Sequence, residues 1–165
     1  MGNQQWIKDF ATASESFSEA YSVQQTTDGG YIFTGYGSSG LGTYKDAYLI
    51  KTDINGNTEW AKIFSINGEQ RGHSVQQTLD GGYIVAGFSD DFEGDDQDVF
   101  LVKTNSQGDI VWTRTFGDID DDQAYSVQQT NDGGYIVTGY KGDDINGSVY
   151  LIKTDVNGNT NWARF

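Results

Sequence analysis

A unit of about fifty residues occurs three times in this chain, and that recurrence constrains the fold more than any other feature. Ser-Val-Gln-Gln-Thr stands at 22–26, 74–78 and 126–130, a step of 52 residues both times. Asp-Gly-Gly-Tyr-Ile follows at 28–32, 80–84 and 132–136. An apolar run closing on Lys-Thr recurs at 48–52, 100–104 and 150–154, and each unit ends around a Trp, at Trp60, Trp112 and Trp162. The third unit is shorter between Tyr140 and Val149. A fixed period of this size marks an architecture in which each unit buries its apolar face only against its neighbours.

Each unit reads as four strands, A at about 20–26, B at 31–36, C at 47–53 and D at 58–64 in first-unit numbers. Asp28-Gly29 and Asn55-Gly56 are the dipeptides that two-residue type I′ hairpins favour, because both central residues need positive φ. No apolar stripe of period 3.6 appears, and Gly, aromatic and β-branched residues abound. Tyr48, Leu49 and Ile50 are consecutive apolar residues, so strand C is expected to be covered on both faces. A four-stranded meander covered on both faces is a β-propeller blade. Gly35, Gly87 and Gly139 recur within strand B, where a glycine marks close approach of another backbone, here expected to be the adjacent blade. A β-solenoid or sandwich is the rival, and two tight hairpins per unit favour the meander.

The expected fold is all-β: a β-propeller arc of three four-stranded antiparallel blades in a single repeat domain, 1–165. Blade 1 spans about 17–65, blade 2 about 69–117 and blade 3 about 121–165. An extra D-type strand lies at 1–11, because Trp6-Ile-Lys-Asp-Phe10 matches Trp60-Ala-Lys-Ile-Phe64. Propellers usually have four to eight blades. An open arc exposes two apolar blade faces, more than a soluble monomer ordinarily shows. Homodimerisation into a six-bladed ring is expected, with the Trp6 strand as a latch. A segment of a longer propeller and a closed three-bladed ring are the alternatives.

The chain carries 24 acidic and 10 basic residues, a net charge of −14. That balance argues against nucleic acid and anionic membrane as partners. No Cys is present and His73 is the only histidine, which removes disulfides, thiolate chemistry and zinc sites built on Cys or several His. No apolar run reaches a membrane span, and the first residues hold no signal peptide.

In a meander blade the A–B and C–D turns share one face of the disc, and the longer B–C and D–A connections share the other. Most of the acids fall on this second face. The candidate binding face comprises Asp90, Asp91, Glu93, Asp95, Asp96, Asp98, Asp143 and Asp144. It suits a basic protein or a polar ligand, or it is a solvated acidic surface. Asp118, Asp120 and Asp122 alternate, so they are candidate Ca²⁺ ligands, although the run is no EF-hand. Otherwise no cofactor is expected, and no catalytic residue is assigned.

Hairpin register pairs Lys51 with Trp60, Lys103 with Trp112 and Lys153 with Trp162, which suggests a cation–π contact in every blade. A sugar-stacking role for the Trp residues is the rival. The Gln pairs of strand A, the innermost strand, are expected to line the channel or hydrogen-bond between blades. His73 stands where the other units have Tyr21 and Tyr125, and is expected to be a packing residue.

The units resemble the DGGYIVTG-type repeats of bacterial and archaeal β-propeller proteins, over nearly the whole chain. The Asp53-Ile-Asn-Gly-Asn-Thr-Glu-Trp60 segment is similar to the tryptophan-docking motif of quinoprotein-like propellers, with the Asp one residue closer, and the strand order resembles NHL-type blades. The resemblance implies a propeller, often secreted or at the cell surface, and no single activity. The leading expectation is a non-catalytic binding scaffold with an acidic loop face. The alternatives are a fragment of a larger quinoprotein-like or glycan-processing propeller enzyme, and a chain made to study blade assembly.

Overall fold

The computed structural model describes residues 6–10, 18–38, 45–65, 68–90, 96–142 and 147–164. Three four-stranded antiparallel sheets account for most of them. The first contains β1 (Ser18–Gln25), β2 (Tyr31–Ser38), β3 (Lys45–Thr52) and β4 (Thr58–Phe64). The second contains β5 (Glu69–Gln77), β6 (Tyr83–Asp90), β7 (Gln97–Thr104) and β8 (Ile110–Phe116). The third contains β9 (Asp121–Gln129), β10 (Tyr135–Gly142), β11 (Ser148–Thr154) and β12 (Thr160–Arg164). Each is a simple meander, with strands paired in chain order. Among the described residues there is no helix, and none long and apolar enough to cross a membrane.

The sheets stack as blades of a propeller arc. β5 packs on β1 and β2, and β9 packs on β5 and β6, so the first strand of each sheet lies innermost. Between blades 1 and 2, Ile32, Ala47, Leu49 and Phe64 meet Val75, Tyr83, Val85, Phe100 and Val102. Between blades 2 and 3, Ile84, Ala86, Val99 and Leu101 meet Ala124, Val127, Tyr135, Val137 and Ile152. Burying each of the Val, Leu, Ile and Phe side chains among them is worth about 1.5–3 kcal/mol. Tyr48, Leu49 and Ile50 are all buried, as their continuous apolar pattern requires.

The turns differ from the expected two-residue type. Gly29 N donates to Thr26 O, and Thr26 N donates to Gly30 O, both at 2.9 Å. The loop therefore holds three residues, 27–29, with Gly29 last at a φ of 85°. The same pattern closes 54–56, where Gly56 has a φ of 75°. Three-residue hairpins of this kind place their left-handed residue third, and a glycine bears that φ without strain. Lys51 nevertheless faces Trp60, because the register shifts beside Thr52, which pairs with Thr58 and leaves Glu59 as the extra residue. The bulge restores what the longer turn displaced.

A second bulge lies in every innermost strand. Between Ala20 and Ser22 the register slips by one, leaving Tyr21 unpaired with β2; His73 and Tyr125 are the equivalents. This also corrects the reading of the strand B glycines. A Cβ on Gly35, Gly87 or Gly139 would strike the backbone oxygen of Glu19, Arg71 or Gln123. The close approach is to the bulged strand of the same blade, not to the adjacent blade.

Residues 6–10 lie against blade 1. Trp6 meets Tyr31 edge-on with ring centroids 5.8 Å apart, and Phe10 meets Phe33 at 4.8 Å. Residues 1–5 and 11 of the expected extra strand lie outside the described residues.

Candidate functional site

The side chains that recur in every unit hold the blades together. Ser22 Oγ accepts from Val75 N at 3.2 Å, and Gln24 Oε1 from Gln77 N at 2.6 Å. Ser74 and Gln76 repeat this toward Val127 N and Gln129 N. The second Gln of each pair points the other way: Gln77 Oε1 accepts from Thr27 N at 2.9 Å, and Gln129 Oε1 from Leu79 N at 2.8 Å. One Gln thus stitches its blade to the next and the other to the previous. Beside the short turns these residues line an open cavity of about 380 Å³, with Gln24, Gln76 and Gln129 on its wall.

The recurring Lys, buried in blades 1 and 2 and partly buried in blade 3, holds two hairpins together. Lys51 Nζ donates to Thr52 O at 2.8 Å and meets Asp28 and Glu59, both at 2.9 Å. Lys103 meets Asp80 and Lys153 meets Asp132 in the same way. Burial works against the Lys51 ammonium, but hydrogen bonds to Glu59 and Asp28 prevail and raise its pKa. The expected Lys–Trp cation–π contact gives way to this clamp. Register sets Lys beside Trp, yet the long stem carries its ammonium to the carboxylate. The cations over Trp112 and Trp162 are Arg114 and Arg164, each at 5.5 Å. Trp60 and Trp112 pack edge-on against Tyr83 and Tyr135 of the next blade. The Asp–Lys clamp escaped the sequence reading, although the Asp of Asp-Gly-Gly and the Lys of Lys-Thr recurring in all three units was the available signal.

The B–C and D–A connections lie at the opposite end of the blades from the short turns. Here Lys141 gathers two of the three candidate metal ligands. Its Nζ lies 2.7 Å from Asp118 and 3.2 Å from Asp122. Asp122 is fully buried, and burial raises its pKa despite Lys141. The Lys141 hydrogen bond lowers that of Asp118. Asp120 N donates to Asp118 Oδ1 at 3.3 Å, while its own side chain is exposed. Among the described residues no group of three or more His, Asp or Glu converges to hold a metal. Asp90, Asp96 and Asp98 are described at the edges of the B–C connection of blade 2. Asp91, Glu93, Asp95, Asp143 and Asp144 lie outside the described residues.

The three bulged residues lie side by side across the blades. His73 lies between Tyr21, with centroids 5.1 Å apart, and Tyr125, stacked at 5.6 Å. A bulge re-aims its side chain, which is how three successive blades present aromatic rings in one row. His73 Nδ1 is 3.0 Å from Ala124 O, and since a carbonyl only accepts, Nδ1 carries the hydrogen. Burial lowers the imidazole pKa, so the ring is neutral at pH 7. Beside this row Arg71 Nε donates to Glu69 at 2.6 Å, and its guanidinium lies over Tyr36 at 4.8 Å. His73 is thus a packing residue, as expected, and at once part of an aromatic row that sequence reading missed.

Among solved structures, Sqt1 from Chaetomium thermophilum is similar to this chain, at 10% identity and a TM-score of 0.47. The likeness covers 90% of this chain and 36% of that one, so the chain spans about a third of the length of the structure it matches. No family model and no curated protein matches the chain.

Proposed function

We propose that the chain is a non-catalytic interaction scaffold, an arc of blades completed to a six-bladed ring by a second copy. Its acidic loop face meets a basic protein or another polar ligand. One observation carries the reading: the polar side chains repeated in every unit serve the fold. Ser22 and Gln24 stitch blades, Lys51 and Asp28 clamp hairpins, and the single His73 is neutral and packed between rings. General acid–base catalysis needs a titratable group poised at a reacting atom, and these groups are engaged elsewhere. The long-loop face differs between blades, as a binding surface on a rigid scaffold does.

Light scattering on a sizing column, across a range of protein concentrations, tests the first half. A stable mass of two chains is the expected result, and a single-chain mass at every concentration overturns it. Retention on a polylysine surface tests the second half. Salt should release the chain, and replacing Asp96, Asp98, Asp118 and Asp120 together by Asn should weaken retention. Undiminished retention of that variant would overturn the loop-face assignment.

A further inference from the structure

We infer that the cavity at the short-turn end of the blades is a binding site for a neutral saccharide. It lies at the other end of the blades from the acidic connections, and its wall comes from one chain. It therefore rests neither on the acidic face nor on self-association.

From Ser22 to Ile32 the three units are identical except at one position, which holds Thr27, Leu79 or Asn131. The fold uses only the backbone there. Thr27 N donates to Gln77 Oε1 at 2.9 Å, and Leu79 N to Gln129 Oε1 at 2.8 Å. The side chain has no part in that contact and is free to differ. All three of these residues line the cavity of about 380 Å³ that runs across the turns of the three blades. Variation on a rigid and otherwise repeated scaffold is thus confined to the wall of one cavity.

Hydrogen bonding fixes what that wall offers. Gln24 Oε1 accepts from Gln77 N, Gln76 Oε1 from Gln129 N and Gln77 Oε1 from Thr27 N. A backbone N–H that holds the oxygen sets the orientation of the amide and leaves its NH₂ group as a pair of donors. In Gln25 and Gln129 those donors are spent inside their own turns, on Gly29 O at 3.3 Å and Gly133 O at 3.2 Å. Among the described residues, the NH₂ groups of Gln24, Gln76 and Gln77 have no acceptor, and all three residues line the cavity. The wall therefore presents pre-oriented donors from neighbouring blades.

Charge and donor balance select the ligand. No residue on the wall is charged, so an ion would shed water there without meeting a counter-charge. An anion would also meet the field of a chain with a net charge of −14. What remains is a neutral ligand rich in acceptors. A peptide brings an N–H with every carbonyl, but the oxygens of Gln24, Gln76, Gln77 and Gln129 are already committed to backbone N–H groups. A saccharide hydroxyl can accept from an amide while turning its own hydrogen toward water in an open cavity. Leu79 is 88% exposed and supplies an apolar contact for the C–H face of a pyranose ring. The volume is at the small end for ligand sites and suits one or two sugar rings.

Titration of the ¹⁵N-labelled chain with maltose, cellobiose, lactose and N,N′-diacetylchitobiose, followed by NMR, tests the site. At least one should bind with a dissociation constant of about 1 mM or tighter. It should shift the side-chain amide signals of Gln24 and Gln76 and the backbone signal of Leu79, and added salt should not weaken it. Gln24→Glu with Gln76→Glu keeps the acceptor for each backbone N–H and deletes the donors. This pair should weaken binding about tenfold or more. Leu79→Asn places the blade 3 residue at an exposed position, leaves the fold intact and should weaken binding about threefold or more. Asp118→Asn, at the other end of the blades, should leave it unchanged. No shift with any of the four sugars at about 20 mM overturns the inference. So does wild-type affinity in the glutamate pair or in Leu79→Asn, or a set of shifts confined to the acidic connections. Tighter binding of N-acetyltriglycine amide than of every sugar would make the site a peptide site and overturn the saccharide assignment.

Discussion

Lys103→Met removes an ammonium while keeping most of the unbranched stem. Lys103 is 4% exposed, and its Nζ donates to both carboxylate oxygens of Asp80, at 3.1 and 2.9 Å, and to Thr104 O at 2.8 Å. Losing the donor to Thr104 O costs about 1 kcal/mol. Breaking a fully buried pair would cost about 3–5 kcal/mol, because the remaining charge stays dry. Asp80 has a side chain 64% exposed, so water replaces the ammonium and this part falls to about 1 kcal/mol. The expected loss is about 2 kcal/mol, or about 4–8 °C in melting temperature for a chain of this size. Urea unfolding followed by Trp fluorescence measures it, with the midpoint falling at unchanged slope. A double-mutant cycle with Asp80→Asn should return a coupling near 1 kcal/mol. A loss below about 0.5 kcal/mol would refute the reasoning, since the lysine would then contribute only its stem.

Gln76→Ala removes the acceptor for Gln129 N and should cost about 1–2 kcal/mol in the same assay, whereas Gln128→Ala should be near neutral in the single chain. The Thr26 hydroxyl and then Lys51 hold Asp28 at about 2, while at Asp80 burial opposes but Thr78 and Lys103 prevail, again at about 2. A carboxylate depressed in the folded state adds stability above its ordinary pKa and loses it as pH falls through the folded value. The unfolding free energy from denaturant titrations should therefore drop between about pH 4 and pH 2, by about 0.5–1 kcal/mol per clamp after discounting for exposure. Lys103→Met should flatten that drop. Melting temperature in Ca²⁺ and in EGTA should agree, because Lys141 already neutralises Asp118 and Asp122; a rise in Ca²⁺ that Asp118→Asn abolishes would contradict this.

Much of the fold was legible because periodicity is a local property. The 52-residue step, the two hairpins per unit and the apolar run 48–50 led to three meander sheets stacked as blades. The register of Lys51 on Trp60 was legible for a less direct reason. The turn holds three residues instead of two, and the bulge beside Thr52 compensates. The candidate site was less legible. Alternating carboxylates at 118, 120 and 122 resemble a metal loop on paper, but Lys141 comes from another strand, and nothing near the run in sequence announces it.

The sequence by itself determined the repeat, the strands, the turns' glycines and which strand is covered on both faces, since each depends on neighbours within one meander. Only the tertiary structure decided where the long polar side chains end. Lys51 reaches Asp28 rather than the Trp60 face, and Gln24 and Gln77 stitch in opposite directions. Tyr21, His73 and Tyr125 form one row because a bulge recurs in three strands brought side by side. A side chain several bonds long chooses among partners several ångströms apart. Which partner lies within reach depends on blade spacing and strand twist, and neither leaves a period in the chain.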